Sequence, residues 1–307
     1  AAASDVYKRQ RHKAGFVPTK PVAVVAMADE EGARFGMPCL GSRLASGKLS
    51  KAEAHTLVAR DGQSLPDAWR EAGLNPDLMG PDDVLLEASC FVELHVEQGR
   101  GLADVGHPVA IATAVRPHGR WRAEFTGQGN HAGTTLIPDR HDPVVPMAQT
   151  ILAAREAAER EGCVTTVGRI NVEPGGTNVI ASAATMWLDC RAEESQTVTK
   201  VVEDIQQASE TAADKQGCQV VWTRESWTDR TAFDLRARML QILGEDIPQL
   251  STGAGHDAAT LATTMPTGML FVRNPTGASH CPAESASDAD CEAGAEALQT
   301  VLEELVK

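Results

Sequence analysis

No two cysteines in the sequence stand at a CxxC spacing, although there are seven of them: Cys39, Cys90, Cys163, Cys190, Cys218, Cys281 and Cys291. Scattered and odd in number, they fit buried thiols in a reducing, cytoplasmic compartment better than a disulfide framework or a thiolate zinc site. No apolar run approaches the ~20 residues needed to cross a bilayer, so no membrane span is expected. The first ten residues, AAASDVYKRQ, lack the apolar core of a signal peptide and read as a non-native addition unrelated to the rest of the chain. A basic patch is also missing and the net charge is −14, which argues against nucleic acid as a partner, because phosphate neutralisation needs clustered cations. Internal repeats and low-complexity tracts are absent.

What remains is an ordinary globular composition, 42% hydrophobic and 23% charged. At 307 residues, the rough rule of ~150 per domain gives about two domains. The chain is organised around Pro21–Gly36, PVAVVAMADEEGARFG, where the apolar run Val22–Ala28 ends in Asp29, Glu30 and Glu31. A short run that is apolar on both faces predicts a strand buried in a helix-covered sheet. Acids at its carboxyl end would lie where open α/β sheets bind ligands, though for the tripeptide alone a solvated turn is the better reading. Helices are expected at 51–60 and 65–72, the second only with Pro66 in its first turn. A strand is expected next at Cys90–Val96, with Glu93, His95 and Glu97 on one face by period two.

From Val109 the pattern changes. Strands at Val109–Val115 and Arg120–Thr126, a helix at Pro143–Glu161, strands at Val164–Val172 and Thr185–Arg191, a helix at Gln196–Asp214 and a strand at Gln219–Thr223 come in that order. The ββαββαβ series predicts an antiparallel sheet with two helices on one face. After Trp227 the α/β texture returns, ending in a helix over Asp288–Val306 whose apolar residues share one face. The layout is an α/β domain, 11–112 and 227–307, interrupted by an α+β domain, 113–226.

Polar clusters mark the element ends: Asp29–Glu31, His95–Gln98, His256–Asp257 and Ser279–His280. Scattered His and carboxylate groups with no Cys among them are the donor set of a catalytic divalent-metal site, although loop histidines also serve as caps. The motifs DEEGARFG, FVELHVEQGRGL, GQGNHAGTT, VEPGGTNVI, LDCRA, GAGHDA and GASHCPAE occur in that order. Together they resemble the hydantoinase/carbamoylase branch of the metal-dependent aminoacylase–carboxypeptidase superfamily. The resemblance runs from about His12 to the C-terminus. It implies a zinc-peptidase-like catalytic domain interrupted by a ferredoxin-like lid and dimerisation domain.

The resemblance also implies roles. Glu31, His95 and His280 would be ligands in a site for two divalent ions (Zn, Mn or Co), with Glu30 the general base beside them. His131 would stabilise the oxyanion, while Gln98, Asn178, Arg191 and His256 would hold a small ureido carboxylate. The implied reaction is hydrolysis of the ureido C–N bond of allantoate, releasing ammonia and carbon dioxide. N-carbamoyl-L-amino acids, or β-ureidopropionate, are the alternative, and a homodimer through the lid is expected. Two further ligands that the resemblance places upstream, a histidine in an HxD motif and a bridging aspartate, have no counterpart here, and His12 lacks the context to replace them. The chain therefore reads as an N-terminally truncated member, with an inactive fragment or binding protein as a third possibility.

Overall fold

A computed structural model describes residues 16–307; His12 and the stretch read as non-native, 1–10, lie outside the described residues. The chain divides into two compact units, one reaching Val115 and resuming at Ala232, the other spanning Arg116–Thr231.

Among the described residues the first unit opens with four short α-helices, α1 (Leu40–Ala45), α2 (Lys51–Ala54), α3 (Leu65–Glu71) and α4 (Asp83–Leu86). Their starts are set by local chemistry. Ser50 and Glu53 form a reciprocal capping box on α2. Ser64 caps α3, with Pro66 in the first turn, where its missing N–H costs nothing. Leu40, Leu44, Leu49, Ala54, Leu65 and Met79 pool into one small core that holds α1–α3 together. Strand β1 (Phe91–Val96), helix α5 (Gly101–Val105) and strand β2 (Val109–Val115) come next.

The second unit contains β3 (His118–Thr126), β4 (Asn130–His131), α6 (Val144–Glu161), β5 (Val164–Glu173), β6 (Val179–Ile180), β7 (Ala183–Arg191), α7 (Ser195–Lys215) and β8 (Gln219–Thr228). Its four long strands form one antiparallel sheet in the order β5-β7-β3-β8. With α6 and α7 this is the βαββαβ ferredoxin-like arrangement. Alternation along β3 and β7 puts Trp121, Ala123, Phe125, Met186, Leu188 and Cys190 on the buried face, against Met147 and Ala154 of α6 and Val198, Val201 and Ile205 of α7. One sequence expectation is corrected: Val109–Val115 does not belong to this sheet. It pairs with strands of the first unit.

After β9 (Thr231–Ala232) the chain completes the first unit with α8 (Arg236–Leu243), β10 (Gln249–Thr252), α9 (Asp257–Leu261), β11 (Thr267–Val272) and α10 (Asp288–Leu305). The sheet runs β1-β11-β2-β10, with β11–β2 antiparallel and the other two pairings parallel. Both faces of its centre are covered. Ala110, Ala112, Met269 and Phe271 pack with Leu102 of α5 and Ala258 of α9, while Val109, Ile111 and Leu270 pack with Met239 of α8 and Val301 of α10. Helix α10 comes so close at Gly294 that a Cβ there would lie 2.5 Å from Val272 Cγ2. The fold is thus an α/β domain carrying a ferredoxin-like insert.

The opening run behaves differently from its expectation. Val22–Ala28 forms no strand, and Val24 and Val25 are 61% and 46% exposed. A strand needs a neighbour to complete its ladder. Among the described residues, β1 is an edge that pairs only with β11.

Candidate functional site

The acidic turn is set by its backbone. Glu30 C=O accepts from Cys39 N–H at 2.7 Å and Ala28 C=O from Gly41 N–H at 2.9 Å, which ties the turn to the start of α1. A Cβ at position 41 would lie 2.6 Å from Ala28 N, so glycine is required for that approach. Asp29 adopts a left-handed φ of 51°, and its carboxylate accepts from the Arg34 and Phe35 N–H groups at 3.3 Å each. Asp29 therefore shapes the turn, leaving Glu30 and Glu31 to project from it.

Glu30 meets two histidines. One donor atom from each of Glu30, His95 and His256 lies within 4.8 Å of the others. His95 leaves β1, and its Nδ1 is 2.8 Å from Val96 C=O. A carbonyl can only accept, so in this contact Nδ1 carries a proton. His256 is the residue before α9, 1% exposed, with its ring 4.6 Å from that of His95. Burial, then the charge of His95, pushes the His256 imidazole down to about 3. Burial, then the neighbouring Glu31, raises the Glu30 carboxyl above its usual range, with His95 and His280 pulling the other way.

Glu31 and His280 form a separate pair, 2.9 Å apart between Oε2 and Nε2, on the solvent side. His280 holds a left-handed φ of 56°, and its N–H donates to Glu284 at 2.9 Å. Gln98, half-buried after β1, has a buried Oε1 without a hydrogen-bond partner. Glu97, on the same strand end, is structural: its carboxylate caps α5 by accepting from Gly101 and Leu102 N–H at 2.7 and 2.8 Å.

The remaining sequence-named residues lie in the second unit. His131 is exposed on the two-stranded β4–β6 ribbon, and Asn178 precedes β6, with its C=O accepting from Ala132 N–H at 3.1 Å. Arg191 ends β7, its guanidinium clasped in a fork by Asp189 at 2.7 and 3.0 Å. The ribbon joins the Ala183 end of β7, about 26 Å of extended strand from Arg191. Thus His131 and Asn178 are neighbours and Arg191 is not among them.

Sequence reasoning passed over two side chains at the Glu30 cluster. Glu93, two residues before His95 on the same strand face, accepts from Ala258 N–H at 2.7 Å, and burial raises its carboxyl. Period two had placed it on that face. Cys39 lies 4.0 Å from Glu30 Oε1, and burial followed by the charges of Asp257 and Glu30 pushes its thiol up to about 12. A lone cysteine gave no signal. Asp257, beside them, accepts from Ser42 Oγ at 2.5 Å.

The cluster passes a physical test for a cation. His256 Nδ1 is buried with no hydrogen-bond partner, and it faces carboxylate oxygens of both Glu30 and Glu93 at 4.0 Å. Such a group costs free energy unless something electropositive sits among these atoms. Two imidazoles and carboxylates suit zinc, manganese or cobalt.

Known proteins are similar to this chain over most of its length. N-carbamoyl-L-amino acid amidohydrolase of Geobacillus stearothermophilus is 37% identical over 294 residues, covering 92% of this chain and 71% of its own length. Allantoate amidohydrolase of Escherichia coli (strain K12) is 29% identical over 300 residues, covering 94% and 72%. The solved structure of a hydantoinase/carbamoylase family amidase from Burkholderia ambifaria superposes with a TM-score of 0.83 at 28% identity, over 97% of this chain and 73% of that one. The family model for peptidase family M20/M25/M40 matches residues 2–304, beginning inside the stretch read as non-native. The chain belongs to peptidase family M20/M25/M40, an enzyme family whose relatives here hydrolyse amide C–N bonds.

Proposed function

We infer that the chain is a metal-dependent amidohydrolase that cleaves the ureido C–N bond of allantoate, with release of ammonia and carbon dioxide. The observation that carries this reading is the convergence of Glu30, His95 and buried His256 within 4.8 Å. A divalent ion held there supplies Lewis acidity for the scissile carbonyl and for water. Glu30, with its carboxyl raised by burial, takes a proton from that water and delivers it to the departing nitrogen. His95, fixed by Val96 C=O, is a ligand in this scheme. Glu31 and His280, already paired, are the ligands of the second ion that the family pattern implies.

The first unit acts as the catalytic domain and the second as a lid that grips substrate through His131, Asn178 and Arg191. Arg191 binds the substrate carboxylate and His131 the developing oxyanion. The strand length between the His131–Asn178 ribbon and Arg191 supports a homodimer, in which the two groups of one chain serve different sites. Gln98, with its unpartnered amide oxygen, and His256 face substrate or metal from the catalytic side. Seven free thiols support a cytoplasmic setting. Among the described residues no helix is long and apolar enough to cross a membrane.

N-carbamoyl-L-amino acids are the second reading, favoured by the 37% identity to the Geobacillus enzyme. Ammonia release by the purified chain, supplied in turn with manganese, zinc and cobalt, tests both. Turnover of allantoate above N-carbamoyl-L-amino acids supports the first reading, and the reverse order replaces it with the second. Metal uptake without turnover of either substrate favours a binding protein.

A further inference from the structure

His131 is exposed, yet one nitrogen of its ring is held. Gly133 N–H donates to His131 Nδ1 at 3.1 Å. An amide N–H can only donate, so in this contact Nδ1 is the bare nitrogen and Nε2 carries the proton. The ring lies close over the turn that follows it: a Cβ at position 133 would stand 3.2 Å from His131 Cε1. Thr135 closes that turn, its N–H and Oγ1 both donating to His131 C=O, at 3.2 and 2.7 Å. The carbonyls of Ala132 and Thr135 are both taken by one side chain. Arg140 donates from Nη2 to Ala132 C=O at 2.7 Å and from Nε to Thr135 C=O at 3.1 Å.

We propose that Arg140 is a positioning residue for the hydrolysis. It locks the Ala132–Thr135 turn, so that Gly133 N–H keeps His131 Nδ1 occupied and leaves Nε2–H to donate to the developing oxyanion. The reaction rests on the amidohydrolase reading above; the clamp rests on the turn alone. Arg140 is half-buried, and its guanidinium pairs with no carboxylate among the described residues, so these two carbonyls are what it serves. Its backbone is anchored away from the ribbon. The C=O of the next residue, His141, accepts from Gln128 N–H at 2.8 Å, and the His141 ring is 3.1 Å from Gln216 C=O at the end of α7. The clamp therefore ties an exposed turn to the frame of the second unit. A planar fork can span two carbonyls in fixed directions, which a lysine ammonium on its flexible stem cannot reproduce. A donor held in place beforehand needs no reorganisation when charge develops on the substrate oxygen.

The test compares the whole wild-type chain with Arg140→Ala and Arg140→Lys. Amide exchange followed by NMR speeds up roughly 10-fold at Gly133 in Arg140→Ala, while the amides of β3 and β7 keep their protection and report that the unit is folded. For the ureido substrate that the wild-type chain hydrolyses, kcat falls by up to ~100-fold with KM little changed, short of the ~10²–10³-fold cost of deleting an oxyanion donor outright. Arg140→Lys falls in between. In a His131→Ala background, Arg140→Ala costs nothing further in kcat, a coupling that a general loss of structure does not produce. Additive losses in that pair, or Gly133 exchange unmoved by Arg140→Ala, overturn the assignment and leave the amidohydrolase reading in place. A wild-type chain that hydrolyses no ureido substrate ends that reading and the catalytic half of the proposal, while exchange at Gly133 still decides the clamp.

Discussion

The two units treat their polar groups in opposite ways. In the second unit they are satisfied: Asp189 takes Arg191 in a fork and Arg120 at 3.3 Å, Arg122 meets Glu124 and Glu225, and Trp222 Nε1 reaches Ser209 at 2.9 Å. In the first unit two polar atoms are left over: the Nδ1 of buried His256, beside Glu30, and the Oε1 of Gln98, after β1, lack partners. A fold keeps such groups only where something outside the polypeptide completes them, so the contrast itself points to the site. It also predicts where substitution harms chemistry and where it harms folding.

The largest effect is expected at the unmatched end. Glu30→Gln keeps the shape and removes the proposed proton acceptor, which should lower kcat for the proposed ureido substrate by about 10²–10⁴-fold. Because the carboxylate is held at an energetic cost, the melting temperature of the metal-free chain should stay the same or rise. Ammonia release and a thermal melt read the two quantities separately. A variant that loses activity only by unfolding would remove the contrast between the units.

Phe125→Ala probes the satisfied end. Phe125 is fully buried between the ferredoxin-like sheet and α6, and its truncation should cost about 3–5 kcal/mol. Protection of β3, β5 and β7 amides from hydrogen exchange should fall, while the Co(II) affinity of the first unit stays as it was. Co(II) loss in this variant would show that the units are not separable.

Asp290 tests whether the first unit also holds satisfied charge away from Glu30. Its carboxylate, 4% exposed, accepts from Arg273 at 2.8 and 3.2 Å and from Ser287 Oγ at 2.7 Å. Burial would raise it, but the Ser287 and Arg273 bonds win and hold it below the usual carboxylate range. A depressed folded value means stability that is fully present above the unfolded value, ~3.9, and lost as pH falls through the folded one. Asp290→Asn should therefore cost about 1.5–3 kcal/mol at neutral pH, and the gap to wild type should close on acidification. Urea unfolding at neutral and acid pH measures it; a gap that widens in acid would reverse the assigned sign.

Much of this was legible in advance where periodicity is strong. The helix expected at Pro143–Glu161 is α6, Val144–Glu161, and that at Gln196–Asp214 is α7, Ser195–Lys215. Both are amphipathic and long, so pattern alone fixes them. Val109–Val115 was legible as a strand but not as a member of a particular sheet, because a run apolar on both faces carries no mark of its partner. Val22–Ala28 failed for the same reason taken further: local sequence cannot supply the neighbour a strand requires. At the site, motifs named Glu30, His95 and His256, but their convergence is tertiary. So is the burial that perturbs Glu93 and Cys39, which no spacing rule reveals.

The smallest effect should come from the helical surface of the second unit, where charges are paired but wet. Arg155 and Glu159 sit one turn apart on α6 with Nε–Oε1 at 2.6 Å, yet their side chains are 76% and 64% exposed. Water screens such a pair and ordering two long side chains costs entropy, so an i,i+4 bond of this kind contributes about 0.3–0.5 kcal/mol. Glu159→Gln should shift the melt of the chain by no more than that, and the shift should vanish in ~1 M salt, where the Debye length is ~3 Å. A loss several times larger that persists in salt would mean that good geometry on an open face can stabilise this unit as its core does. The contrast between satisfied and unsatisfied groups would then have to be redrawn in terms of burial alone.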